Sequence, residues 1–181
     1  MKKTILLTAL LSVSSFCFAG RDLPLNFEKN IANAKATATA PNGWHKNFPK
    51  AKNIGISKID ATAKGKKFLN VKTTTQETPF YTSTAFKVKQ GDILELEVEA
   101  NGKGVLLIGF YSYNTKGGWY HTPNSIKKIT VTPDKKEYKA KFTLANVNKN
   151  EIANIRIVVG AGNNSDINIF DVDAEIEDIK K

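Results

Sequence analysis

The sequence predicts an all-β chain, a jelly-roll β-sandwich of two antiparallel sheets. Three observations lead there. Apolar and polar residues alternate with a period of two through run after run, which turns one face of each run toward a core and the other toward water. Gly, Asn, Asp and Pro punctuate the runs at the spacing of short strands. No stretch has both the length and the 3.6-residue period of a long amphipathic helix.

The runs follow in order. Lys67 to Thr73 sets Leu69 and Val71 against Phe68, Asn70 and Lys72. Tyr81 to Lys89 ends in Phe86 and Val88 and meets a Gln90-Gly91-Asp92 turn. Ile93 to Ala100 is the clearest run, with Leu94, Leu96, Val98 and Ala100 on one face and Glu95, Glu97 and Glu99 on the other. Asn101-Gly102 reads as a turn before Val105 to Tyr113. Tyr138 to Leu144 alternates Tyr138, Ala140, Phe142 and Leu144 against Lys139, Lys141 and Thr143. Ile152 to Gly160 and Asp166 to Ile176 complete the set. Eight or more short strands in antiparallel style suit a sandwich. Asn33 to Pro41, rich in Ala and Thr, fits a strand, a short helix or a loop.

The chain opens with Lys2 and Lys3, a short apolar run from Ile5 to Val13, and the small residues Ser14, Ser15, Cys17 and Ala19 before Gly20. That order is a secretory signal peptide cleaved after Ala19, because the apolar run is too short to span a bilayer. Phe16 before Cys17 argues against lipidation. The expectation is a secreted or periplasmic monomer, with one domain over residues 20–181 and no integral membrane part after cleavage. The single cysteine leaves with the signal, so the mature chain has no disulfide, thiol nucleophile or cysteine-ligated zinc.

The formal net charge is +10, which favours anionic partners in general. Of the 27 basic residues, however, only Arg21 and Arg156 are arginines, and the lysines are scattered among carboxylates. Specific phosphate and base readout favours the planar arginine fork, so no specific nucleic-acid partner is expected. Catalysis is not expected either. His45 and His121 are the only histidines, and no H-E-x-x-H, G-x-S-x-G or P-loop is present. The paired carboxylates of a glycosidase would have to come from Glu95, Glu97 and Glu99, a row that reads instead as a solvated or lysine-paired strand face.

The aromatic residues carry the functional expectation. Tyr111, Tyr113, Trp119, Tyr120, Trp44 and Phe48 are candidates for an exposed platform, since sugars stack their C–H faces on rings and aromatics are enriched at binding hot spots. On Val105 to Tyr113, Leu106, Ile108, Phe110 and Ser112 read as core, and Leu107, Gly109, Tyr111 and Tyr113 as the opposite face, with Gly109 leaving room for a ligand. On Ile152 to Gly160, Ile155, Ile157 and Val159 read as core. Asn154, Arg156, Val158 and Gly160 share the other face, where Arg156 meets Tyr111 if the strands are neighbours. Trp119 and Tyr120 follow Lys116-Gly117-Gly118, which suits a mobile binding loop, while Trp44 suits the sandwich edge. The alternative role for Tyr111, Tyr113 and Arg156 is structural: capping the core, and pairing with a strand glutamate.

A series of landmarks resembles a known family. Asn26-Phe27-Glu28 is similar to an opening N-x-x-F-E element, Pro41-Asn42-Gly43-Trp44 to a P-x-G-W segment, and Gly65-Lys66-Lys67-Phe68-Leu69-Asn70-Val71 to a G-K-x-S-L-x-V strand opening, with Phe68 at a position where a small residue is usual. Phe86 to Asp92, Tyr138 to Thr143 and Ile167 to Val172 continue the series, the last resembling a closing Y-I-D-D-V strand with Phe170 replacing its first aspartate. Their order resembles the CenC-like carbohydrate-binding modules of families 4, 9 and 22, galactose-binding-domain-like jelly rolls. The resemblance implies a groove that binds a glycan chain through aromatic and polar side chains, and the first expectation is non-catalytic polysaccharide binding with Tyr111, Tyr113, Trp119, Tyr120, Arg156 and Asn154, the residues read above, as its contacts. It also implies a structural calcium between the opening and closing strands, at Glu28 and Asp171. The second expectation is an envelope structural or adhesive protein that uses the same scaffold to contact proteins or anionic polymers. The third is a small hydrolase or lyase.

Overall fold

The computed structural model of the chain describes residues 20–35, 37–47 and 55–178. The signal segment and Phe48 lie outside the described residues. Twelve strands and one short helix, α1 (Phe27–Ala32), make up the described fold. Among the described residues no helix is long and apolar enough to cross a membrane.

The architecture turns on one strand, β7 (Ile93–Asn114), which serves both sheets of the sandwich. Its first half lies in sheet A between β10 (Lys136–Thr143) and β12 (Asp166–Glu177). Beyond β12 come β4 (Lys67–Lys72) and then β3 (Ile56–Ala61), with β1 (Gly20–Asp22) on the far end of β12. The second half of β7 lies in sheet B between β11 (Ile152–Ala161) and the pair β9 (Ile126–Val131) and β8 (Trp119–Tyr120). Beyond β11 come β5 (Thr78–Thr82) and β2 (Trp44–Lys46), and β6 (Phe86–Lys87) continues along β11. All pairings are antiparallel.

The expected turn at Asn101-Gly102 is overturned. The strand continues through it without reversing, because these residues form the corner at which β7 passes from one sheet to the other. Gly102 (φ 133°) and Gly104 (φ 113°) adopt backbone angles that L side chains resist. A Cβ on Gly102 would strike the Asp166 carbonyl, and one on Gly104 would strike Ser165. The glycines let two strands approach at a sharp bend, the other role of glycine inside a strand.

The core lies between the sheets and matches the alternation read from sequence. Leu94, Leu96, Val98 and Ala100 from sheet A face Leu106, Ile108, Phe110, Ile155, Ile157 and Val159 from sheet B, and all are buried. In β12 the inward set changes parity, from Ile167 and Ile169 to Val172, Ala174 and Ile176. A bulge between Ile169 and Asp171 absorbs the extra residue. Of the segment Asn33 to Pro41, the described residues 33–35 and 37–41 are turns and loop rather than strand. Trp44 is buried at the sheet edge and packs edge-on against Phe27, with ring centroids 5.1 Å apart.

The glutamate row forms the expected lysine-paired face. Glu95 meets Lys141, Glu97 meets Lys139, and Glu99 meets Lys135 at 2.5 Å. On its other flank the row lies directly opposite more acid: Glu99 against Asp171, Glu97 against Asp173, Glu95 against Glu175. Burial and these like charges push the Asp173 carboxyl above its usual range, burial contributing most.

Candidate functional site

The outer face of sheet B gathers the aromatics. Tyr111 and Tyr113 project from β7, and Tyr113 lies opposite Trp119 of β8. Tyr81 projects from β5 two strands away, its ring centroid 5.8 Å from that of Tyr111. Asn47, just after β2, donates from Nδ2 to the Tyr111 hydroxyl at 2.9 Å. Asn47, Tyr81, Tyr111, Tyr113 and Trp119 line an open cleft of about 480 Å³. Trp119 is 59% exposed, far more than a tryptophan needed for packing. Burial raises the Tyr111 pKa, outweighing the opposing effect of the Asn47 bond.

Arg156 occupies the centre of this face. It lies opposite Tyr111 on the neighbouring strand, as the sequence suggested it would if the two strands adjoined. It does not form the wall of the cleft. Its guanidinium packs between two of the wall's rings, 5.4 Å from the centroid of Tyr113 and 5.7 Å from that of Tyr81. Among the described residues Nε is buried without a partner, and Nη1 reaches the Thr82 carbonyl at 3.5 Å. The strand glutamates belong to the other sheet, so the alternative of a glutamate partner is not realised among the described residues. Arg156 therefore sets the two tyrosines at their angles.

Four details depart from expectation. Tyr120 follows Trp119 on the same strand and so points the other way. It lies opposite buried Ser112 and is itself buried, outside the aromatic cleft. Asn154 lies opposite Tyr113 and Lys87 but lines a different hollow, of about 770 Å³, shared with Arg21, Lys87, Gln90, Asn146 and Asp178. That hollow is the larger, but it has no aromatic wall on which a ring could stack. Gly109 leaves no room for a ligand, because a Cβ there would meet the backbone of Ser125 and Ile126. The Lys116-Gly117-Gly118 segment, expected as a mobile loop, is a hydrogen-bonded hairpin turn. Asn114 Oδ1 accepts from the backbone N–H groups of Lys116 (3.0 Å) and Gly118 (2.9 Å).

Tyr81 and Asn47 join the site from outside the set that the sequence suggests. The alternation of Thr78, Phe80 and Thr82 inward against Pro79 and Tyr81 outward was available in the sequence. The pairing of β5 with β11, which carries Tyr81 to Arg156, was not.

The residues implied for calcium do not fit the ion. The Lys66 ammonium takes that place, 3.1 Å from Glu28 and 3.7 Å from Glu99. Its pKa is raised chiefly by the bond to Glu28, with the charges of Glu99 and Asp171 adding to it. Among the described residues no three acidic, histidine or cysteine side chains are arranged to hold a metal. The two departures from the family pattern also meet: Phe68 and Phe170 pack at a tilt with centroids 5.2 Å apart, and the Lys135 ammonium lies 5.2 Å over the Phe170 ring.

No family model matches the chain, and no curated relative does. Solved structures do share its fold. A cyclase from Fischerella sp. TAU is 10% identical with a TM-score of 0.60, the match covering 90% of this chain and 100% of that one. The enzymatically active domain of tailspike protein 4 of bacteriophage CBA120 is 12% identical with a TM-score of 0.55, over 83% of this chain and 21% of that one. The chain thus spans about a fifth of the length of the tailspike structure. The CBM22-1 xylan-binding domain of Xyn10C from Paenibacillus barcinonensis is 10% identical with a TM-score of 0.50, over 90% of this chain and 96% of that one. At such identities the likeness is one of fold, and the fold is the curled all-β jelly roll found in carbohydrate-binding modules.

Proposed function

We propose that the chain binds a polysaccharide, without catalysis, in the aromatic cleft of sheet B. One observation carries the reading: three tyrosines and an exposed tryptophan surround an open cleft, the tyrosines set by a half-buried arginine and an asparagine. Rings arranged in this way offer flat apolar faces to the C–H surface of a sugar, with phenol and amide groups at the margin for its hydroxyls. The likeness of fold to a xylan-binding domain supports the reading.

The cyclase of matching length keeps catalysis in view as a second reading. The wall of the cleft speaks against it. Asn47, Tyr81, Tyr111, Tyr113 and Trp119 include no carboxylate and no imidazole to move a proton near neutral pH. The N-terminal segment is read as an export signal, which would bring the cleft to polymers outside the cytoplasm. Calcium forms no part of the proposed site.

Trp119 reports on occupancy directly. With Trp44 replaced by Phe, Trp119 is the remaining tryptophan, and its emission should shift when soluble oligosaccharide is titrated in. Affinity in the micromolar to millimolar range is expected for an open, solvated site. An unchanged spectrum across a panel of hexasaccharides would count against glycan binding in the cleft.

A further inference from the structure

One row of residues crosses four strands on the outer face of sheet B. Trp119 of β8 lies opposite Tyr113 of β7, Tyr113 opposite Asn154 of β11, and Asn154 opposite Lys87 of β6. The first two line the aromatic cleft, and the last two line the hollow of about 770 Å³. Cleft and hollow therefore adjoin along this row. Neighbouring strands lie about 4.8 Å apart, which sets Lys87 roughly 10 Å from Tyr113 across the sheet.

The hollow has no ring, but it has cations. Lys87 and Lys89 line it together with Arg21, whose Nη2 donates to the Lys87 carbonyl at 2.9 Å and so holds the guanidinium beside Lys87. Among the described residues none of these three cations forms an ion pair, whereas Lys135, Lys139 and Lys141 on sheet A all do. Three carboxylates share the hollow, and none belongs to the row. Asp92 is buried, and its Oδ2 accepts from the Lys89 backbone N–H at 2.8 Å. Glu151 precedes β11 and Asp178 follows β12, both beyond the strand ends. The row itself thus carries two rings, an amide and a cation, with no acid among them.

Resting on the glycan reading of the cleft, we propose that the hollow is a subsite for an acidic sugar, a uronate unit joined to the ring that stacks on Tyr113 and Trp119. Its carboxylate meets the Lys87 ammonium and the Asn154 amide, with the Arg21 charge close behind. Ammonium and amide both donate, and a carboxylate only accepts, so the partners are complementary. The formal net charge of +10 draws anionic polymers in general. The row selects among them those that present a stackable ring next to an acid.

The test uses a glucuronoxylan, a galacturonan and xanthan, each beside its carboxyl-reduced form, in which the uronates have become neutral hexoses of the same linkage. Fragments of each are titrated into the full chain by calorimetry. The subsite predicts that at least one acidic form binds about fivefold more tightly than its reduced partner at low salt, the scale of one exposed charge pair. The gain should fade in 1 M salt, where the screening length drops to about 3 Å. Lys87→Gln should bring the acidic form down to the affinity of its reduced partner. Lys103→Gln removes the same charge opposite Asp166, away from the row, and should keep the gain. Equal affinities within every pair, or a gain that survives Lys87→Gln or that Lys103→Gln removes as well, would overturn the subsite and leave the cleft reading intact. If no polymer binds in either form, or Trp119→Ala leaves every affinity unchanged, the cleft reading itself fails and the subsite falls with it.

Discussion

The Arg156 guanidinium packs on the face of Tyr113, 5.4 Å from the ring centroid, and holds the ring beside Trp119 without entering the cleft. Arg156 is therefore a positioning residue whose loss acts through the tyrosines. Arg156→Ala should cost about 1–2 kcal/mol of stability from lost cation–π and stem packing. It should weaken oligosaccharide binding as well. Arg156→Lys should recover little of either, because an ammonium cannot stack as the planar fork does. Denaturant melts and titration of the two variants check this. Full binding by the lysine variant would show that charge alone matters.

The tyrosines predict an alkaline limit to stability. Burial raises the Tyr111 and Tyr120 pKa values, so the folded state favours their neutral forms. The unfolded chain loses these protons first, at about pH 10. Stability should thus be fully present below that pH and fall as pH rises through the folded values. Tyr111→Phe should flatten the fall. Melts between pH 8 and 11 provide the measurement, and an identical slope in the variant would contradict the account.

Asp173 predicts an easy gain. Its carboxyl is raised by burial first and then by Asp171, Glu97, Asp22 and Glu137. A raised acid destabilises the fold above its folded pKa and has no effect below the unfolded value of about 3.9. Asp173→Asn should therefore raise the melting temperature at neutral pH. The gain should shrink toward pH 3 and in high salt, since the group is exposed enough to be screened.

Lys66 predicts indifference to calcium. Its ammonium already engages Glu28 and Glu99, and the Asp171 charge reinforces it. Millimolar calcium should leave the melting temperature unchanged. An ion that bound only the folded state would raise it in proportion to the logarithm of concentration, and a rise of several degrees would show that these carboxylates admit the ion.

How much of this was legible in the sequence varies residue by residue. Leu94 to Ala100 and Glu95 to Glu99 announced their faces because a period of two is a local property of the chain. The same logic placed Tyr111, Tyr113 and Arg156 on one face. Asn101-Gly102 misled because asparagine followed by glycine serves a corner as readily as a hairpin, and only the approach of Asp166 and Ser165 distinguishes them. Tyr120 misleads because a two-residue strand is too short to show the alternation that sets it opposite to Trp119. Asn47 and Tyr81 reach the cleft through β2 and β5, strands whose neighbours lie far away in the chain. Likewise, Glu28 gave no sign that Lys66 would pair with it and with Glu99.

The central claim is that exposed rings on sheet B hold a polysaccharide. Retention on a panel of insoluble polysaccharides, at low and high salt, tests it most directly when parent, Trp119→Ala and an acidic-face control, Glu97→Gln, are compared. The account predicts salt-resistant retention of the parent and the control on at least one polymer, and loss of retention in Trp119→Ala. Retention that survives Trp119→Ala, or that high salt abolishes in the parent, would contradict it and favour an envelope protein that meets anionic polymers through its lysines.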